Sequence, residues 1–141
     1  MKRIALGLLL ATLLPATAEA GVRLGLGADY WLTRRGLFEL TVSVDGHLAR
    51  HILLGGRFGG LVSTLPNTIG IPLDLQLRGE LAGGRVYLEG MGGPWILFEG
   101  APLRAHVAFG FGIQSGSLSA GLEVGWLDPD PSVGLRFTFR I

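Results

Sequence analysis

Cysteine is absent from this 141-residue chain, which excludes a disulfide framework, a thiolate metal site and the lipid-attachment cysteine of a bacterial lipoprotein. Lysine is nearly absent: Lys2 is the only one. Charge of one sign is also lacking, because ten arginines stand against ten acidic residues from Gly21 onward. A balance of that kind gives no reason to expect nucleic acid or another polyanion as a partner. Long apolar runs are missing too. The longest uncharged stretch after the first twenty residues, Ala105 to Leu122, is interrupted by His106, Gln114, Ser115, Gly116, Ser117 and Ser119, and a membrane-spanning helix needs about 20 continuous apolar residues.

What the chain has in excess is glycine, 24 residues of 141, against a usual share of about 7%. Each glycine inside a helix costs about 1 kcal/mol relative to alanine, so this much glycine without a fixed period argues for strands and turns. The first twenty residues are a separate matter. Lys2 and Arg3 precede an uncharged apolar run from Ile4 to Leu14, and Ala18-Glu19-Ala20 precedes Gly21. These are the three parts of a secretory signal peptide in their usual order, and eleven residues before Pro15 are too few to span a bilayer as a helix. The expected organisation is a signal peptide over 1–20, cleaved between Ala20 and Gly21, and one domain over 21–141.

The last stretch, "SVGLRFTFRI", alternates strictly. Val133, Leu135, Phe137, Phe139 and Ile141 share one parity and Gly134, Arg136, Thr138 and Arg140 the other, which is the two-residue period of a strand with an apolar and a polar face. Cutting the chain at its Gly-, Pro-, Asn-, Asp- and Ser-rich clusters predicts eight such strands, at 22–32, 37–46, 51–62, 71–81, 84–92, 104–114, 118–126 and 132–141. Strands of about 9–11 residues are the length that crosses a bilayer when tilted.

One parity of these strands is apolar throughout, from Val22, Leu24 and Leu26 to Phe137, Phe139 and Ile141. The other carries Arg23, Asp29, Glu39, Asp45, Arg57, Asp74, Arg78, Glu80, Arg85, Glu89, Glu123, Arg136 and Arg140. In a soluble sandwich or lipocalin-like barrel the leucine face would be the core; in a membrane barrel it would face lipid around a closed polar interior. Three features favour the second arrangement. Lysine, the usual edge-blocking and solvent-facing residue of soluble β proteins, is missing, and arginine suits a crowded interior because its planar guanidinium pairs bidentately with carboxylates. Gly25, Gly27, Gly55, Gly59, Gly110, Gly112, Gly121, Gly125 and Gly134 lie on the charged parity, where long side chains in an eight-stranded barrel need empty neighbours. Tyr30, Phe38 and Trp126 fall on the apolar parity at one rim, with Phe137 and Phe139 towards the other, as in the aromatic girdles of membrane barrels. The expected fold class is all-β, an eight-stranded antiparallel up-and-down transmembrane β-barrel.

In this pattern the chain resembles the small eight-stranded outer-membrane β-barrel proteins of Gram-negative bacteria. The sharpest point of likeness is the final strand, where Ser132, Gly134, Phe137 and Phe139 follow the family's terminal assembly signal in order and Ile141 stands where an aromatic residue usually does. The resemblance implies a cell outer-membrane location after signal cleavage, both termini in the periplasm, a monomer with outer-membrane lipid around it, and the barrel-assembly machinery as a partner during biogenesis.

Some barrels of this size modify lipid A, and the deacylases among them need a His-x-Ser pair so that the histidine can activate the hydroxyl. Here His47, His51 and His106 are followed two positions on by Ala49, Leu53 and Ala108. An acyltransferase of palmitoyl type would have to use His106 with Ser119 or Glu123, which nothing in the sequence sets apart. No metal-ligand spacing stands out, "GGRFGG" at 55–60 is followed by no helix that would make it a phosphate loop, and Asp128 and Asp130 in "LDPDP" read as a solvated turn. "GPWILFEGAPL" at 93–103 is expected to be the longest loop, with Trp95 and Phe98 seated in the outer leaflet. The sequence thus predicts a non-enzymatic barrel without cofactor or metal, with a plugged, salt-bridged lumen and a structural or surface-binding role. The alternatives are a soluble secreted or periplasmic β-barrel binding an apolar ligand, and, third, a lipid A-modifying barrel enzyme.

Overall fold

A computed structural model describes residues 20–32, 35–65, 67–100 and 102–141; the expected signal peptide lies outside the described residues except for Ala20. Eight strands follow in order: β1 Gly21–Trp31, β2 Arg35–Ala49, β3 Ile52–Ser63, β4 Thr68–Leu81, β5 Val86–Leu97, β6 Leu103–Ser115, β7 Leu118–Leu127 and β8 Asp130–Arg140. Each pairs antiparallel with the next, and β8 returns to β1, so the sheet is a closed up-and-down barrel. In the closing pair Ser132 lies beside Trp31, Gly134 beside Asp29, Phe137 beside Leu26 and Phe139 beside Leu24. The Ile141 amide continues the seam by donating to the Val22 carbonyl at 2.9 Å.

The strands are longer than their turn signals suggested. β2 continues through Gly46 to Ala49, with a register shift between His47 and Ala49, because pairing with β3 overrides the glycine. β4 begins at Thr68, inside the cluster read as a turn. The largest difference is β5. It starts at Val86, not at residue 84, and runs on through Gly92, Gly93 and Pro94 to Leu97, so the first half of the expected long loop is strand. Pro94 lies in that strand beside Ala105 of β6, without a backbone N–H to contribute to the ladder. The joins are short at both ends of the barrel. Residues 82–84 form a single 3-10 turn in which Gly83 and Gly84 have φ of 68° and 82°, the left-handed region that glycine enters without strain.

Side-chain direction follows the parity. Leu26, Leu40, Leu75, Val107 and Ile113 are all more than 60% exposed on the outer wall, whereas Arg23, Glu39, Arg57, Asp74, Arg78, Glu89, Glu123 and Arg136 are buried. A leucine-cored soluble barrel is therefore not the arrangement found. Glycine makes the interior geometrically feasible. A Cβ at Gly27 would run into the Arg136 guanidinium, one at Gly134 into the Asp29 carboxylate, and one at Gly121 into the Tyr87 hydroxyl. Long inner side chains thus lie flat across bare backbone on neighbouring strands.

Two glycines of β5 separate the effect of the wall from that of the interior. A Cβ at Gly93 would collide with the Leu73 carbonyl and come within 3.0 Å of the Asp74 Cα, whereas a Cβ at Gly90 meets nothing within 4 Å. Gly93→Ala is expected to destabilise the barrel by about 1–3 kcal/mol through overpacking. Gly90→Ala is expected to be neutral or to stabilise by about 0.4–1 kcal/mol, since it restricts the unfolded chain. Denaturant unfolding of both variants measures the difference.

Candidate functional site

The inner parity carries three layers along the barrel axis. At the end where β1 passes to β2, Trp31, Leu37, Leu61, Trp95, Leu97 and Leu127 form a buried apolar cluster. Trp31 Nε1 donates to the Leu127 carbonyl at 2.9 Å, so the indole is satisfied within that cluster. Above it Glu99 accepts from Arg35 at 2.7 Å and from Arg104 at 3.4 Å. The two guanidinium groups stand 5.4 and 5.1 Å from the Trp31 ring, within reach of its negative face.

The middle layer is ionic. Arg57 on β3 donates to Asp74 on β4 at 2.7 Å and to Glu123 on β7 at 2.9 Å. Arg136 on β8 reaches Glu39 at 2.9 Å, Glu123 at 3.1 Å and Asp29 at 3.4 Å. His106 Nδ1 is 2.7 Å from Asp74 Oδ1, and Trp95 Nε1 donates to the same carboxylate at 3.1 Å. Removed from water, each of these charges would cost several kcal/mol alone, and the shared carboxylates are what make their burial tolerable.

The third layer lies towards the end that holds both termini. Arg23 pairs with Asp45. Glu89 accepts from Gln76 at 2.9 Å and from Arg78 at 3.4 Å, and Arg78 stacks 3.6 Å from the centroid of Tyr87. Its second amino group donates to Gln114 at 2.6 Å, and Gln114 donates on to Glu80 at 3.3 Å. The cavity that remains among Arg23, Arg57, Gln76, Arg78, Glu89 and Arg136 is about 10 Å³, at the lower bound for one water molecule.

Of the thirteen charged residues placed on the inner face by parity, Arg23, Asp29, Glu39, Asp45, Arg57, Asp74, Arg78, Glu89, Glu123 and Arg136 are buried and ion-paired. Glu80 is half-buried and hydrogen-bonded without an ion pair. Arg85 and Arg140 correct the expectation: both are exposed at the termini end, Arg85 in the turn just before β5 and Arg140 as the last residue of β8, where a long side chain at the rim can reach water. Trp95 also differs, being buried on the inner face of β5 and not on a loop. Phe98 is exposed next to it.

Sequence reasoning missed the inner apolar cluster and the parts played by Gln76 and Gln114, whereas His106, on the charged parity, is the buried and hydrogen-bonded interior histidine that its position suggests. Trp31, Leu37, Leu61 and Leu127 sit on the charged parity of their strands, and that placement was the signal. On the outer wall Tyr30, Phe38 and Trp126 are about half exposed. Ser119 meets the Thr138 hydroxyl while His106 is held by Asp74, so no histidine–serine pair is assembled there. Among the described residues no group of three or more His, Cys, Asp or Glu side chains is disposed to hold a metal ion.

A closed eight-stranded up-and-down sheet with its charges inside and its aliphatic side chains outside is the fold of transmembrane β-barrels. No protein-family model and no curated protein sequence matches the chain. Solved structures do match it in fold. A barrel from the de novo design of transmembrane β-barrels superposes with a TM-score of 0.68 at 8% identity, over 86% of this chain and 95% of that one. The crystal structure of the N-terminal β-barrel domain of Pseudomonas aeruginosa OprF gives 0.60 at 12% identity, over 89% of this chain and all 100% of the domain. The solution NMR structure of the de novo designed TMB2.3 gives 0.54 at 12% identity, over 91% and 98% of the two chains.

The centre of the ionic layer generates a stability prediction. Arg57→Gln removes one cation from Asp74 and Glu123, which keep His106, Trp95 and Arg136 as partners, and is expected to cost about 1–3 kcal/mol, the usual penalty for lost hydrogen bonds to buried charged groups. Glu123→Gln in the same background should recover part of that loss. A double-mutant cycle read by denaturant unfolding is expected to give a coupling of about 1–3 kcal/mol.

Proposed function

We propose that this chain, after cleavage between Ala20 and Gly21, is a monomeric integral barrel of a bacterial outer membrane, with both termini in the periplasm. It acts as a non-catalytic structural element whose lumen is closed by its own side chains. The observation that carries the reading is the inverted polarity of the wall. A contiguous apolar exterior of this extent is not kept in water, and an interior with this density of arginine and carboxylate would not fold as the core of a soluble domain without such pairing. Tyr30, Phe38 and Trp126 at one rim and Phe139 at the other are assigned to the bilayer interfaces, where aromatic side chains concentrate. The short joins leave little loop for a binding surface and favour a structural role.

Fractionation of cells is the direct test: the protein is expected in the outer-membrane fraction, resistant to carbonate and protease. Leu75, 65% exposed on β4, supplies the facing test. Leu75→Arg is expected to lose about 2–4 kcal/mol in a refolding titration with lipid vesicles, and Leu75→Phe much less. Recovery of the wild-type chain in the soluble periplasm would overturn the reading.

A closed lumen predicts no ion conductance. Planar-bilayer recording should show no steady single-channel steps, because the ionic and apolar layers obstruct a bore of this strand number.

Ser132, Gly134, Phe137, Phe139 and Ile141 are proposed as the strand read by the barrel-assembly machinery. Phe137 and Phe139 are each 51% exposed on the outer wall, so replacing both with serine leaves the β1–β8 ladder intact. The double variant is expected to refold in detergent like the parent and to fail to insert in cells. Normal insertion in cells would remove the proposed address.

A further inference from the structure

At the termini end the rim of the barrel carries a notch of about 630 Å³ between the turn that joins β4 to β5 and the turn that joins β6 to β7. Ligand sites commonly measure about 300–1,000 Å³. Its two halves differ in chemistry. Glu80, Arg85 and Gln114 line the side towards the mouth of the lumen, and Val86 and Ile113 line the side that belongs to the outer wall. Gly83, Gly84 and Gly116 form its edges, with positive φ at all three, and a Cβ at Gly83 or Gly116 would meet nothing within 4 Å. The bare turns leave the notch open.

Its two charged groups are available to different degrees. No ion pair among the described residues involves Arg85; of the other arginines of this end, Arg23 and Arg78 are paired within the lumen, while Arg50 and Arg140 are exposed and lie outside the notch. Glu80 is oriented by one bond from Gln114, which is itself held by Arg78. One cation and one fixed carboxylate therefore share a single recess, directly beside two aliphatic side chains on the lipid-facing wall.

We propose that this notch seats a phospholipid whose headgroup carries both a phosphate and a primary ammonium, with the phosphate on Arg85, the ammonium on Glu80 and an acyl chain along Val86 and Ile113. The inference rests on the membrane reading and adds to it a lipid class. Arginine matches phosphate oxygens with paired N–H donors, and a primary ammonium gives the carboxylate three donors. A quaternary ammonium has no N–H to offer Glu80. An uncharged glycerol headgroup leaves that carboxylate without its cation, facing a net negative lipid.

The test uses the folded full barrel in vesicles containing equal parts of phosphatidylethanolamine, phosphatidylcholine and phosphatidylglycerol, followed by extraction and native mass spectrometry of retained lipid. Wild-type protein is expected to retain phosphatidylethanolamine preferentially. Arg85→Ala should lower that adduct about tenfold, the worth of one charge-assisted contact pair. Glu80→Gln should abolish the preference over phosphatidylglycerol while leaving phospholipid bound. Arg140→Ala, at the same rim but outside the notch, should change neither. Equal retention of the three lipids by wild-type protein, or an unchanged adduct in Arg85→Ala, overturns the lipid assignment while the membrane reading stands. A chain that never enters the vesicles overturns both.

Discussion

Closure of the sheet by the β1–β8 ladder is the constraint from which the rest of the molecule follows. Once β8 is bonded to β1, no strand edge is left open, because only full closure removes edges from a sheet. Closing with only eight strands also fixes a narrow bore. Every inward side chain must then share that bore with inward side chains from all the other strands, which turns composition into a packing problem. Arg136 fits because Gly27 is bare beneath it, and the buried arginines are held because carboxylates reach them from other strands. Glycine abundance, lysine scarcity and balanced charge are three aspects of that one restriction.

Much of this was legible in the sequence because a strand's period of two is a strong signal. Parity alone separated the lipid-type face from the charged face in all eight strands and found the closing strand. Depth along the barrel axis was not legible. Arg85 and Arg140 have the right parity and still fall outside the network, since alternation says which way a side chain points and not whether a wall still stands opposite it. The apolar cluster at the other end was hidden for a related reason: Trp31, Leu37, Leu61 and Leu127 are hydrophobic residues on the inner parity, and a reading that sorts hydrophobic from charged does not look for them there. β5 was cut short at Gly92-Gly93-Pro94, a triplet with strong turn chemistry. β6 pairs with all three of these residues and β4 pairs on either side of Gly93 and Pro94, and tertiary pairing prevails over local preference. Nor does the sequence state which charge meets which, because Arg136 and Glu39 are 97 residues apart.

The solved barrels that superpose on this one include designed transmembrane proteins, and the likeness is instructive at 8–12% identity. So little shared sequence can still specify the same wall, because the wall asks only for alternation, strand length and turns. Inside that wall this chain carries an apolar layer with two tryptophans, an arginine–carboxylate layer, and a polar layer in which Tyr87 and Arg78 are stacked.

The ionic layer also has a mechanical meaning. In a ring of eight strands β3 and β7 stand diametrically opposed, and Arg57 joins them through Glu123. Arg136 ties β8 to β2, and His106 ties β6 to β4. The first contact crosses the bore like a spoke, while the other two are short chords that each bridge one intervening strand, so that drawing β3 and β7 apart must stretch the Arg57–Glu123 pair. A hollow cylinder under lateral pressure ovalises easily, whereas a spoked one stays round, and here the side chains that occupy the bore also set the shape of its wall.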